Sequence, residues 1–215
     1  MRRKSPRKPR SPATAPPKAP AKKSPPRRPP LAVAITGGIG AGKSEALAAF
    51  ARHGAATHSS DSVVHRLIAE DQEVRTALTE RFGTTDRAEI AAVVFEDREA
   101  LAWLEGLLHP RVRADYARWM TELASRPDPP ALAVVEIPLL YESGSDERFD
   151  AVVVITAPEE VRAARTSVRP DARAKRLLPE EEKIRRASFA YVNDGTVEQL
   201  DAFVADVVSA LTTRT

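Results

Sequence analysis

The sequence predicts an α/β fold, a parallel, doubly wound sheet with helices on both faces. Two observations predict it. Short apolar runs alternate with longer stretches of helical periodicity, as in strands that return through crossover helices. A glycine-rich loop also joins the first apolar run to the first helical stretch. With 215 residues, the chain has room for one such domain and a smaller insert.

The elements before residue 125 begin with an almost wholly apolar run, 31–36, which predicts a buried parallel strand. A helix over 44–53, ended by Gly54, and a short strand over 55–60 follow. Helices are then predicted over 61–69, 73–82 and 88–124. A break is expected at His109-Pro110, because proline removes a backbone donor. This block of 61–124 is too long for one crossover, so it predicts a helical side domain.

The later elements return to the alternating pattern. Strands are predicted over 131–137, 151–156 and 191–192, and helices over 158–168, 179–190 and 197–212. Together with 31–60, the segment 131–215 therefore completes the α/β core.

Charge is divided unevenly along the chain. Residues 1–30 hold 11 Lys and Arg, no acid and 10 of the 18 prolines, whereas residues 31–215 hold 22 basic and 30 acidic residues. A segment of this composition cannot bury a core, so a disordered tail is predicted. Such a tail either attaches weakly to anionic nucleic acid or membrane surfaces, or is a solvated extension with no specific partner.

Composition also excludes several classes of protein. The chain has no cysteine, so disulfides, thiolate catalysis and thiolate metal sites are excluded. No apolar run approaches the roughly 18 residues that span a membrane, and the basic N-terminus lacks a signal sequence's apolar segment. We therefore expect a cytoplasmic protein with no membrane span and no specific nucleic-acid partner.

The glycine-rich loop is the first candidate functional motif. It matches the G-x-x-x-x-G-K-[ST] pattern of a P-loop without a mismatch, in Gly37, Gly38, Ile39, Gly40, Ala41, Gly42, Lys43 and Ser44. Its backbone N–H groups and the following helix N-terminus suit phosphate oxygens. Lys43 is expected to reach the β- and γ-phosphates of ATP, and the Ser44 hydroxyl to bind Mg²⁺.

Other motifs narrow the class of P-loop protein. A GTPase needs Asp-x-x-Gly and Asn-Lys-x-Asp, and neither string occurs. The strand ends "AVVEIP" and "VVVITAP" do not fit a motor ATPase. A small-molecule kinase needs arginines that close over the transferring phosphate, and residues 162–186 predict such a lid or else a solvated basic helix face. The arginines of this segment are Arg162, Arg165, Arg169, Arg173, Arg176, Arg185 and Arg186.

From Leu31 onward the sequence resembles the dephospho-CoA kinase family. Five stretches carry the resemblance in order: "ITGGIGAGKS", "SSDSVVHRL", "LEGLLHPRV", "VVEIPLLYESG" and "SFAYVNDGTVEQL". The first is shared by many P-loop kinases, whereas "LLHP" and "IPLLYE" are more specific to this family. The resemblance implies a P-loop kinase core, a helical CoA domain and a lid. It also implies transfer of the ATP γ-phosphate to the ribose 3′-hydroxyl of dephospho-CoA.

The resemblance also implies roles for single residues. Asp61 matches the second acid of the family's Asp-Ala-Asp motif and becomes the candidate base, with Arg165, Arg169 and Arg176 in the lid. Glu45, Asn193 and Gly195 join the glycine-rich loop on the ATP side. The acceptor side comprises His109, Pro138, Leu139, Leu140, Tyr141 and Glu142.

The chain departs from the family pattern at three places. Ser59 replaces the first acid of the Asp-Ala-Asp motif, the segments 83–86 and 170–176 are short, and the basic tail is additional. These departures keep two rivals open: another nucleoside or nucleotide kinase, and a nucleotide-binding regulator without turnover. Asp61 could equally be a helix cap, His109 a packing residue, and Glu136 either a partner of Lys43 or Mg²⁺ or a buried, satisfied carboxylate.

Overall fold

A computed structural model describes residues 28–165 and 178–213, and within them five parallel strands form one sheet. The strands are β1 (Leu31–Thr36), β2 (Ala56–Ser59), β3 (Leu132–Glu136), β4 (Ala151–Thr156) and β5 (Phe189–Val192). Their order across the sheet is β2-β3-β1-β4-β5, and every neighbouring pair is parallel. The predicted fold class, a parallel sheet flanked by helices, is confirmed.

Eight helices are described around the sheet. They are α1 (Lys43–Arg52), α2 (Ser60–Glu70), α3 (Gln72–Phe82), α4 (Arg87–Glu96), α5 (Arg98–Ala124), α6 (Glu159–Arg165), α7 (Glu180–Arg186) and α8 (Val197–Thr213). A single 3₁₀ turn, Asp146–Arg148, precedes β4. Nearly all of the predicted elements are thus present, with shifts of one to a few residues at their ends.

Both faces of the sheet are covered by apolar side chains. On one face, Phe50 of α1 and Leu200 of α8 pack against Ile35 and its neighbours. On the other, Leu140 and Tyr141 pack against Ala34 and its neighbours. Because β1, β2 and β3 run in parallel, their carboxyl ends meet at one edge, where ligands of such sheets bind.

Helices α2 to α5 have an apolar cluster of their own, which includes Leu78, Ile90 and Leu101. An oxygen-bearing side chain begins each helix by accepting backbone N–H groups, as N-caps do. These caps are Ser59, Asp71, Asp86 and Asp97. The caps fix where each helix starts, so the block is a set of short helices followed by one long one.

The predicted break at His109-Pro110 is wrong. α5 is a single helix of 27 residues, and Pro110 lies inside it. The helix is held on both sides of the proline by buried Leu108 and Val112. The Arg111 guanidinium also donates to the Leu107 carbonyl at 2.9 Å. Packing therefore outweighs the one backbone hydrogen bond that proline removes, and the interruption falls at Asp97 instead.

The predicted helix over 179–190 is too long at its end. α7 stops at Arg186, and residues 189–192 form β5, twice the predicted strand length. Ser188 explains the change, since its backbone N–H donates to the Val152 carbonyl at 2.9 Å and its hydroxyl accepts from the Val152 N–H at 3.1 Å. Pairing with β4 thus overrides the local helical pattern.

The predicted tail, apart from residues 28–30, lies outside the described residues, as does the middle of the predicted lid, residues 166–177. In the described ranges, no helix is both long enough and apolar enough to cross a membrane.

Candidate active site

The glycine-rich loop lies at the carboxyl end of β1 and is packed closely on its outer side. A Cβ added to Gly37 would lie 1.9 Å from the Ile155 carbonyl oxygen, and one added to Gly42 would lie 2.3 Å from the Asn193 amide nitrogen. Both glycines also have positive φ angles, 147° and 98°. The backbone path of the loop therefore depends on glycine at these two positions.

Lys43 begins α1 directly after the loop. Its Nζ donates to the Gly38 carbonyl at 2.9 Å, so the side chain folds back over the loop. Burial lowers the pKa of Lys43, Glu136 and Asp61 oppose that shift, and Lys183 adds to it. A half-buried cation that interacts electrostatically with two carboxylates beside a phosphate-type loop is a feature of functional sites.

Glu136 ends β3 and lies beside Ser59, the last residue of β2. The two residues are register partners, and the Ser59 hydroxyl donates to Glu136 Oε2 at 3.2 Å. Burial raises the pKa of Glu136, against the effect of Lys43. Glu136 is thus a buried, hydrogen-bonded carboxylate. It also acts on Lys43 through its charge, so it has features of both alternatives, a satisfied carboxylate and a partner of Lys43.

Asp61 is the second residue of α2 and is exposed. The cap of this helix is Ser59, whose hydroxyl accepts from the Ser62 N–H at 3.4 Å. The capping alternative for Asp61 is therefore not what the structure describes. Its carboxylate acts electrostatically on both Lys43 and Glu136, so β2 and α2 bring the candidate base towards the loop lysine.

Two arginines of α6 lie against the loop. A Cβ on Gly38 would lie 2.8 Å from Nη1 of Arg162, and Nε of Arg162 is buried without a hydrogen-bond partner. Arg165 Nη1 donates to the Asn193 carbonyl at 3.1 Å. Arg169 and Arg176 of the predicted lid are outside the described residues. Among the described residues, Arg162 is the arginine nearest Gly38 and Gly40; the sequence placed it in the arginine cluster but did not single it out.

Asn193 acts on the loop itself, since its side-chain amide donates to the Ala41 carbonyl at 2.9 Å. Gly195 precedes α8, where Thr196 and Gln199 form a reciprocal cap. Glu45 accepts from Arg52 at 3.0 Å along the surface of α1. Roles of these residues in binding ATP stay predictions.

The predicted acceptor stretch 138–142 has a buried half and an accessible half. Leu140 is fully buried, and Tyr141 is buried with the Arg186 guanidinium 4.4 Å from its ring centre. Pro138 and Leu139 are half-buried, and the Pro138 carbonyl accepts from the Thr36 hydroxyl at 3.2 Å. Any direct acceptor contact in this stretch is therefore expected from Pro138 and Leu139.

Glu142 is held by residues on and before α7. Its Oε1 lies 2.7 Å from Nζ of buried Lys183 and accepts from the Leu178 N–H at 3.1 Å. The pair ties the acceptor stretch to the last part of the predicted lid. Lys183 had no signal in the sequence beyond its charge, because only the fold brings it to Glu142.

His109 lies near the middle of α5 and is half-buried. Burial lowers the pKa of its imidazole, Glu105 opposes that shift, and Arg113 adds to it. All three residues are on α5, so the described geometry leaves the choice between packing and acceptor contact open.

A phosphate-type loop, a half-buried lysine, adjacent arginines and carboxylates that act on the lysine define a small-molecule kinase site of the P-loop class. The family model described as dephospho-CoA kinase matches residues 31–199. The chain belongs to the dephospho-CoA kinase family, and the resemblance stated from its motifs is confirmed.

The alignments with similar proteins cover most of this chain and most of each relative. The dephospho-CoA kinase of Mesorhizobium japonicum is 37% identical over 84% of this chain and 96% of its own, and that of Rhodopseudomonas palustris BisB18 is 35% identical over 82% and 93%. A solved structure of dephospho-CoA kinase from Campylobacter jejuni has a TM-score of 0.61 and 26% identity, over 85% of this chain and 97% of that one.

Proposed function

We propose that this chain is a cytoplasmic enzyme that transfers the γ-phosphoryl group of ATP to the ribose 3′-hydroxyl of dephospho-CoA, giving coenzyme A and ADP. The observation that carries the proposal is the electrostatic interaction between Lys43 and Asp61 at the carboxyl edge of the sheet. A phosphate-binding cation and a proton acceptor that act on each other suit transfer to a hydroxyl.

The donor side works mainly by charge and position. The loop amides hold the ATP phosphates, and Lys43 exchanges its hydrogen bond to the Gly38 carbonyl for the β- and γ-phosphates. Arg162 and Arg165 neutralise charge that spreads over the transferring group. Glu136 keeps Lys43 protonated against the effect of burial, which makes Glu136 a positioning residue.

The site also fits Mg²⁺ by the chemistry of its donors. Ser44, in the first turn of α1, offers a hydroxyl oxygen, and hard oxygen ligands suit this ion. In the described ranges, no cluster of three or more His, Cys, Asp or Glu side chains could form a metal cage. That arrangement suits an ion held by few protein ligands and by substrate phosphates. When bound, Mg²⁺ would supply further neutralisation of phosphate charge.

On the acceptor side, Asp61 orients the 3′-hydroxyl and takes its proton. Because α2 begins immediately after β2, the carboxylate is fixed relative to the sheet edge. Phosphoryl transfer asks for little covalent chemistry from the protein, so alignment of the hydroxyl with the γ-phosphate is the main contribution.

The test is incubation of the full chain with ATP, Mg²⁺ and a panel of acceptors, followed by mass spectrometry of the products. We expect dephospho-CoA to gain one phosphate at the 3′ position with formation of ADP. Preferential phosphorylation of AMP or a nucleoside would favour the rival kinase. Nucleotide binding with no acceptor turned over would favour the regulator.

A further inference from the structure

Lys183 of α7 and Glu142 form an ion pair that is almost completely buried. The Lys183 Nζ lies 2.7 Å from Glu142 Oε1, and the two side chains are only 6% and 13% exposed. Taking two charges out of water is costly, and apolar side chains of similar volume often give an equally stable fold. Stability alone therefore does not account for a charged pair at this position.

The acceptor stretch 138–142 is held at both of its ends. At its beginning, the Pro138 carbonyl accepts from the hydroxyl of Thr36, the last residue before the glycine-rich loop, at 3.2 Å. At its end, Glu142 pairs with α7 and also accepts from the Leu178 N–H at 3.1 Å. The stretch is therefore fixed to β1 on one side and to α7 on the other.

Helix α7 is itself anchored at the carboxyl edge of the sheet. In its first turn, the Glu180 carboxylate accepts from the hydroxyl of Thr156, the buried last residue of β4. The preceding residue of β4, Ile155, borders the glycine-rich loop through its backbone carbonyl. Lys183 is therefore carried by a helix that starts beside the loop, at the edge where the ATP phosphates are expected.

The charge of Lys183 also reaches the lysine that follows the loop. Burial lowers the pKa of Lys43, and the positive charge of Lys183 lowers it further. The other cations in the last turn of α7, Arg185 and Arg186, pair with other acids and have side chains that are 75% and 38% exposed. Lys183 is thus the buried cation of this turn, and it acts electrostatically on the loop lysine.

We propose that Lys183 is a positioning residue for phosphoryl transfer, which through Glu142 holds the acceptor stretch 138–142 in its working position relative to the glycine-rich loop. The inference rests on the proposed function, because it needs an acceptor bound at that stretch. The acceptor hydroxyl must meet the phosphoryl group in line, and a misplacement of about 1 Å can cost about 10²-fold in rate. Loss of the pair therefore acts on kcat more than on ATP binding, which depends on the loop.

The experiment compares Lys183→Met, Glu142→Gln and the double variant with the full wild-type chain. Each single variant leaves one member of the pair buried without its partner, so its melting temperature should fall. The double variant leaves no unpaired charge at this position and should regain most of the melting temperature. Its kcat should stay about 10- to 100-fold below that of the wild type, while the KM for ATP stays within about twofold.

Two further variants separate positioning from a general effect on the fold. Lys183→Arg keeps the charge and the pairing with Glu142, so it should keep most of the wild-type kcat. Asp201→Asn is the matched control, because it weakens a pair with Arg52 and His53 at the end of α1 that is remote from the loop. It should change the melting temperature without changing kcat.

The double variant separates the possible outcomes. A low kcat at a regained melting temperature supports the inference. If the wild-type chain makes coenzyme A and the double variant regains both quantities, the pair serves stability alone, and the inference is overturned while the function stands. A melting temperature that is not regained would assign the pair to folding, and a raised KM for ATP with normal kcat would assign it to the nucleotide; either overturns the inference. If the wild-type chain makes no coenzyme A, the proposed function fails and the inference fails with it.

Discussion

The glycine-rich loop and the cavity of about 400 Å³ between α2 and α5 present their cations in different ways. The loop offers backbone N–H groups on a path closed in by Ile155 and Asn193, and Lys43, which follows it, is half-buried. The cavity wall includes Arg66 and Arg118, whose side chains are 48% and 69% exposed and both pair with Asp115. A backbone site tolerates almost no change of residue, whereas a side-chain site can be retuned by single substitutions. We therefore expect the loop to be rigid in its residue requirements and the cavity to be adjustable.

The largest effect is expected at the lysine that follows the glycine-rich loop. Lys43→Ala should reduce kcat by about 10³-fold, since it removes the cation fixed on the phosphates that react. Steady-state kinetics with ATP and dephospho-CoA measures the loss. Arg52→Ala, which removes an exposed cation from the last turn of the same helix, should leave kcat nearly unchanged. Near-normal activity of the Lys43 variant would contradict the assignment of the loop.

A smaller loss is expected at the candidate base, Asp61. Asp61→Asn should reduce kcat by about 10²-fold, the lower part of the range for general-base assistance, because dissociative phosphoryl transfer asks little of its nucleophile. The melting temperature should not change, because Ser59 and not Asp61 caps α2. Asp86→Asn makes the same substitution at the cap of α4 and should keep full activity. A fully active Asp61 variant would show that Asp61 does not act as the base of the reaction.

The next prediction concerns the effect of pH on stability through Glu136, the buried carboxylate that interacts with Lys43. Its pKa is raised by burial from an ordinary value of 4.5, so the folded chain keeps a proton that the unfolded chain has lost. The contribution of Glu136 to stability therefore falls as the pH rises from 4.5, its pKa in the unfolded chain, to its higher pKa in the folded chain. Glu136→Gln mimics the protonated form and should melt higher than wild type at neutral pH. Each gain of about 1 kcal/mol corresponds to about 2–4 °C in a chain of this size.

Below pH 4.5 the melting difference should vanish, because Glu136 is then protonated in both states. Calorimetric scans across this range measure it. Glu122→Gln, at an exposed carboxylate of α5, is the control and should shift the melting temperature by little at any pH. A variant that melts lower than wild type at neutral pH would mean that the charge of Glu136 is needed for folding.

The smallest effect is expected outside both regions. Deletion of residues 1–27 should leave kcat and the melting temperature unchanged, because a proline-rich segment without acids has little to add to a core. The deletion stops short of the 1–30 boundary drawn from composition, since Pro30 is buried in the structure. A large drop in either quantity would reveal docking of the tail on the acidic remainder of the chain.

How much could be predicted from the sequence also divides between the two regions. The loop and the strands around it were predictable, because a contiguous motif fixes the backbone and buried parallel strands are apolar throughout. Asp61 and the 138–142 stretch required a family resemblance, since a lone carboxylate or a short apolar run has no pattern of its own.

The rest depends on contacts between residues far apart in the chain. Only the folded chain brings Glu142 to Lys183 and His58 to Asp115, because each pair is far apart in sequence. Pro110 misled the helix prediction for the same reason, because the packing that holds α5 together comes from other helices. The end of α7 was misjudged because its neighbour, β4, is remote in sequence.

The direct junction of β2 and α2 limits how the length of this chain can vary. The strand ends at Ser59 and the helix begins at Ser60, with no loop residue between them. Inserting one residue early in α2 would turn the following side chains by about 100° around the helix axis, and a deletion would turn them the other way. Such a change at this junction would carry Asp61 away from Lys43, while an insertion at 83–86, between two separately capped helices, would leave both in place. Length changes are therefore expected to accumulate at the second place and to be absent from the first.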